Sequence, residues 1–100
     1  MKNYRELIVW QKSMALVTVV YPDSANFPVE ETYSLTNQII SVPSNIAEGF
    51  GRNHTKEYIR FLEISRGSLC ELQTQLEIAF NLKFIPQEDF EQIAQKSLEI

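Results

Sequence analysis

Apolar residues near the start of the chain recur at spacings of three and four in two sets at once. Leu7, Trp10, Met14, Val17 and Tyr21 form one stripe, and Ile8, Val9, Ala15, Leu16, Val19 and Val20 lie largely around the other side. The spacing predicts a first helix over Tyr4–Tyr21. Its polar residues are scattered rather than gathered on one face. A helix apolar nearly all round needs burial on more than one side. In a chain of 100 residues that surplus points to self-association.

YPDSANFPVEE interrupts the pattern with Pro22 and Pro28 and reads as the first connection. A second helix is expected from Glu30 or Glu31, where acidic side chains suit the positive end of the helix dipole. Its stripe is Leu35, Ile39, Val42 and Ile46, with Gly49 next in register. A third helix is expected from Thr55 to about Leu82. There Tyr58, Leu62, Ser65, Leu69, Leu72, Leu76 and Ala79 keep a heptad-like register. A fourth opens at Pro86, a good first helical residue, and carries Phe90, Ile93, Ala94 and Leu98 on one side. The expected architecture is all-α: one domain over residues 1–100, an antiparallel up-and-down four-helix bundle with short turns and a short fourth helix.

The segment SVPSNIAEGFGR, residues 41–52, places Pro43, Gly49 and Gly51 within helical periodicity. Pro43 has no N–H for the Ile39 carbonyl and its ring crowds that group, so a kinked second helix is expected, with Ser44 and Asn45 placed to satisfy the freed carbonyl. Either glycine suits a left-handed helix end. Ser41, Asn45, Glu48 and Arg52 share one face beside the apolar stripe. On the third helix Ser68, Glu71 and Gln75 share a face with Ile64 and Ile78, and Gly67 beside them is expected to permit close helix approach. Two polar strips next to apolar stripes suggest packing and interface residues that satisfy one another across a helix contact. Read as chemistry, Glu48 and Glu71 would be a carboxylate pair for acid–base work or a metal. Bundle metal sites combine Glu with Glu-x-x-His, whereas the single histidine, His54, falls in a turn. The sequence has no nucleophilic triad pattern, P-loop or dinucleotide loop. The expectation is therefore no enzyme, no catalytic residues, no metal and no cofactor.

Composition changes this picture little. Hydrophobic content of 44% and aromatic content of 11% are those of a packed domain. The net charge of −4 argues against a dedicated nucleic-acid binder. Cys70 is the single cysteine; it excludes an internal disulfide, fits a reducing compartment and is expected as a buried, inert thiol. MALVTVVY, residues 14–21, is interrupted in its lead-in by Glu6, Gln11, Lys12 and Ser13, so a cytoplasmic protein rather than a secreted one is expected. Without secretion the glycosylation triplet Asn53-His54-Thr55 is empty. No apolar run reaches the ~20 residues of a membrane span. One local feature supports an alternative function as a nucleic-acid-binding accessory protein. At the junction of the second and third helices Arg52, Lys56, Arg60 and Arg66 outnumber Glu57 and Glu63, with Phe50 and Tyr58 nearby as stacking surface.

At these residues the sequence resembles the 23S rRNA intervening-sequence proteins, also called four helix bundle proteins. The resemblance runs through LIVWQKSMALV, SVPSNIAEGFGR, EYIRFLEISRGSLCELQTQLEIA and EDFEQI, nearly the whole chain. It implies an antiparallel four-helix bundle that assembles into a homo-oligomeric ring, typically a pentamer, without enzyme activity. A related branch comprises the accessory proteins of diversity-generating retroelements, whose basic barrel binds nucleic acid and a reverse transcriptase; this acidic chain departs from it in charge. Lys83 stands where relatives often have glycine after the third helix, and the fourth helix is shorter than is usual. The role implied for the chain is a scaffold or adaptor.

Overall fold

The computed structural model describes residues 3–100. Among them are four α-helices and no strand: α1 (Ile8–Asp23), α2 (Val29–Gly51), α3 (Thr55–Asn81) and α4 (Gln87–Leu98), with 3-10 turns at Tyr4–Glu6 and Ser24–Asn26. The four expected helices are present, with shifted ends. Tyr4 begins a separate turn, capped by the Asn3 side chain, and Leu7 is extended before α1 starts. Pro22 lies inside the last turn of α1 rather than in the connection. Pro86 is the N-cap of α4 rather than its first residue.

α1 packs on α2 and α4, and α3 packs on the same two helices, so the four close a ring of neighbours. The α2–α3 pair makes the most extensive contact. Its core line is the amphipathic stripe of α2, with Leu35, Ile39, Val42, Ile46 and Gly49 buried. Phe61, Ser65, Leu69, Leu72, Leu76 and Ala79 of α3 meet it. α1 contributes Ser13, Leu16 and Val20. The stripe of Leu7, Trp10, Met14, Val17 and Tyr21 is thus not the buried line: Met14 and Tyr21 are exposed, while Leu7, Trp10 and Val17 pack at the edge of the core. Ser13 is tolerated inside because its hydroxyl donates to the Val9 carbonyl at 2.7 Å, leaving no unpaired donor.

Three residues set the joints. The Thr32 hydroxyl reaches the Ser24 carbonyl (2.8 Å), and its oxygen also lies close to the Phe27 and Pro28 carbonyls, tying the first turn of α2 to the connection before it. Asn53 and Lys83 both have positive φ, 53° and 65°, and no glycine does. The expectation of a left-handed Gly49 or Gly51 is therefore corrected: asparagine, whose short polar side chain tolerates this conformation, takes the role after α2. After α3, Lys83 N–H donates to the Phe80 carbonyl (3.0 Å) and Phe84 N–H to the Ala79 carbonyl (2.9 Å). That is the Schellman closure usually built on glycine.

α3 has 27 residues and α4 has 12, and the molecule measures 43 × 22 × 17 Å. At about 1.5 Å per residue, α3 spans nearly the whole length and α4 less than half of it. No helix among the described residues is long and apolar enough to cross a membrane.

Candidate functional site

The polar residues of α2 and α3 meet in an antiparallel ladder along one edge of the helix pair. Ser41 and Ser68 share a hydrogen bond between hydroxyls at 2.8 Å. One turn along, Gln38 Nε2 donates to Glu71 Oε2 at 2.6 Å, and the next rung is Gln75 Nε2 to Ser34 Oγ at 2.9 Å. Asn45 Nδ2 donates to both the carbonyl and the hydroxyl of Ser41, each at 2.8 Å. Deeper in the contact, buried Ser65 donates to the Val42 carbonyl at 2.7 Å. Ser34 and Gln38 were not singled out in the sequence, although they extend the Ser41–Asn45 face backwards by helical spacing. Among the described residues Gln75 Oε1 is the one buried side-chain polar atom without a partner.

Glu48 and Arg52 are on the same face of α2 but pair with each other, at 3.0 Å with both side chains half exposed, rather than across to α3. The ladder also separates the two carboxylates. Ser41 is level with Ser68; Glu48 is seven residues beyond Ser41 in one direction and Glu71 three beyond Ser68 in the other. At about 1.5 Å per residue that is ~15 Å along the axis, so Glu48 and Glu71 do not form a shared acid–base or metal site. Among the described residues no cluster of three or more His, Cys, Asp or Glu is placed to hold a metal ion.

Pro43 is buried within an α2 that continues on both sides of it. The Asn45 amide goes to Ser41 rather than to the Ile39 carbonyl, and Ser44 is exposed. Gly49 lies at the closest approach of the two long helices: a Cβ there would stand 2.6 Å from Phe61 Cβ and 3.3 Å from the Tyr58 carbonyl oxygen. Gly67 is different. Nothing lies within 4 Å of its would-be Cβ, so the expected close approach at Gly67 is corrected; it faces outward on α3. Cys70 is exposed, not buried, because it falls outside the line of Leu69, Leu72 and Leu76.

At the α2–α3 turn, Arg52 and Arg60 flank Phe61, their guanidinium carbons 5.2 and 4.7 Å from the ring centroid. Phe50 and Tyr58 pack edge to face at 6.0 Å. Arg60 pairs with Glu57 at 2.9 Å, and its hydrogen bond and charge hold the Glu57 carboxyl below its ordinary value. Lys56 and Arg60 share one shallow depression with His54 and Glu63. Arg66 does not join them, lining a different groove beside α1 and α4. Two of the four cations are therefore engaged with carboxylates, and one points elsewhere.

A further acidic contact joins α1 to α4. Burial, then a hydrogen bond and the charge of Asp89, raise the Asp23 carboxyl to about 6. The residues are 66 positions apart in the sequence, so no local pattern announces them.

A family model described as 23S rRNA-intervening sequence protein matches residues 5–100. The chain belongs to that family. No curated protein matches the chain.

Proposed function

We propose that this member of the 23S rRNA-intervening sequence protein family is a non-enzymatic, self-assembling scaffold or adaptor whose α1–α2 face seats a second copy of the chain. The observation that carries the reading is the set of large apolar side chains left exposed on α1 and α2. Met14 and Tyr21 of α1 and Tyr33 and Ile40 of α2 are between 41 and 71% exposed. Met14 and Ile40 line a depression of ≈ 320 Å³ together with Trp10, Val17 and Pro43. Large exposed apolar patches on soluble domains mark interaction surfaces, and an isologous or ring contact between identical chains is the commonest way to cover one. The pentamer comes from the family resemblance; the surface itself argues for an assembly without giving its number.

Light scattering or native mass spectrometry tests this. Oligomers at micromolar concentration are expected, with Met14→Lys and Ile40→Glu together shifting the mass toward monomer. A wild-type chain that stays monomeric throughout that range overturns the reading. The alternative, nucleic-acid binding at the α2–α3 turn, draws support from Lys56 and the arginine pair around Phe61. It expects salt-dependent RNA affinity that falls on Lys56→Ala and Arg60→Ala.

A further inference from the structure

The ladder of polar pairs between α2 and α3 keeps one register: Ser41 meets Ser68, Gln38 meets Glu71 and Ser34 meets Gln75. Continued by helical spacing, it sets Glu31 opposite Ile78 and Phe27 opposite Leu82. The polar pairing therefore stops at Glu31, whose carboxylate makes no hydrogen bond or ion pair among the described residues. Where the next rung would stand is a pocket of ≈ 170 Å³, which Ser34, Gln75 and these last four residues line together with Leu35, Ala79 and Phe84. Leu35 and Ala79 are buried, whereas Ile78 and Leu82 are exposed, so the first pair forms its floor and the second its rim. The rings of Phe27 and Phe84, with centroids 5.9 Å apart, form one end.

Two acceptors at this pocket lack donors. One is the Glu31 carboxylate, the single charged group of the lining. The other is Gln75 Oε1, buried and unpartnered, while Gln75 Nε2 donates to Ser34. Among the described residues that is the amide's one bond, so the half-buried side chain is free to turn its oxygen toward a donor. Lys83 stands between Leu82 and Phe84 in the chain, yet it does not line the pocket and forms no ion pair among the described residues. The first turn of α2 and the last of α3 meet here with opposite dipole ends, which offset one another and leave the carboxylate to set the sign. A carboxylate and an orphan amide oxygen beside an apolar floor match an ammonium group, whose three N–H donors serve both at once. The volume is close to the ~150 Å³ that holds one benzene ring.

We propose that the pocket at the end of the α2–α3 ladder binds a small protonated amine whose apolar body is about one ring in size. The ammonium group bridges Glu31 and Gln75 Oε1, supplying the donors that the ladder lacks at this rung. The body lies on Leu35, Ala79 and the Phe27–Phe84 pair. No residue of this pocket lines the depression on the α1–α2 face, so the amine site and the assembly face are testable independently.

The probe is phenethylamine. It is compared with phenylacetate, which carries the same ring and the opposite charge, and with phenethyl alcohol, which is neutral. Methyl NMR signals of Ile78, Ala79 and Leu82 are followed on the full chain. The amine is expected to shift them with a Kd on the order of 1 mM, about tenfold tighter than phenylacetate at low salt. Glu31→Gln, an exposed change, is expected to bring the amine and the alcohol to within about twofold of each other. Gln75→Leu removes the orphan acceptor and is expected to weaken the amine about threefold or more, with the far-UV circular dichroism spectrum unchanged. Any of four results would overturn the proposal. The amine produces no shift at millimolar concentration. Phenylacetate binds as tightly as the amine, which would mean that the Gln75 amide presents its N–H groups to the pocket. Glu31→Gln leaves the affinity for the amine unchanged. The same signals shift without any ligand as protein concentration rises, which would mean that a second copy fills the pocket.

Discussion

Two glycines on neighbouring helices are expected to respond to alanine differently. At Gly49 the new methyl group would lie 2.6 Å from Phe61 Cβ, with the Tyr58 carbonyl oxygen at 3.3 Å. Neither neighbour is the free end of a flexible side chain. Relief requires α2 and α3 to part by about 1 Å at their tightest point, and overpacking of this kind costs about 1–3 kcal/mol. Alanine gains about 0.8–1 kcal/mol over glycine in helix propensity, so the net loss for Gly49→Ala is about 0–2 kcal/mol. Gly67 has open space around its would-be Cβ and lies within α3, so Gly67→Ala keeps the propensity gain and costs nothing in packing. In a domain of this size 1 kcal/mol corresponds to about 4–8 °C in Tm. The two variants share the propensity gain and should therefore separate by the overpacking cost alone, about 4–24 °C in thermal unfolding followed by circular dichroism, with Gly49→Ala the lower. Urea midpoints should rank them in the same order. A Gly49→Ala protein as stable as Gly67→Ala would refute the account of the α2–α3 contact. A destabilised Gly67→Ala would show that this outward position is covered in solution.

Three other outcomes follow from the geometry. Lys83→Gly should stabilise by about 0.5–1 kcal/mol, because φ of 65° strains a side-chain-bearing residue and not glycine; chemical denaturation would read it, and a loss of stability would count against the closure drawn at the end of α3. Asp23, held at about 6 by burial and by Asp89, binds its proton more tightly in the folded chain than at its ordinary 3.8. Its stabilising share is therefore complete below about 3.8 and is lost as pH rises through about 6. Asp23→Asn should remove that part of the pH dependence of Tm, and an unchanged profile would argue against the contact with Asp89. Ser65→Ala, which deletes a buried hydrogen bond to the Val42 carbonyl, should cost about 0.5–1.5 kcal/mol. Glu71→Ala, losing only an exposed bond from Gln38, should stay within about 0.5 kcal/mol, so equal losses in urea unfolding would mean that the ladder is more deeply buried than its exposure implies.

Helices were legible in the sequence wherever a single apolar stripe faced a polar side. The α2 stripe of Leu35, Ile39, Val42 and Ile46 and the register of Ser65, Leu69, Leu72 and Leu76 on α3 are both buried, because amphipathic helices have only one orientation that removes apolar area from water. α1 lacked that asymmetry. With apolar residues on every side its periodicity carried no direction, and the packing of α2 and α4 selected Ser13, Leu16 and Val20 over the stripe through Met14 and Tyr21. The two polar strips were visible as helical faces, yet their pairing depends on where two helices stop sliding past each other. That register sets Ser41 opposite Ser68 and Glu71 opposite Gln38, leaves Glu48 to Arg52, and so dissolves the carboxylate pair. Composition likewise misled at the turns, where asparagine and lysine hold the left-handed positions and the glycines do not. Local pattern is written in the chain because it arises from neighbours a few residues apart. The meeting of Gly49 with Phe61 and of Asp23 with Asp89 arises only when distant segments share one space.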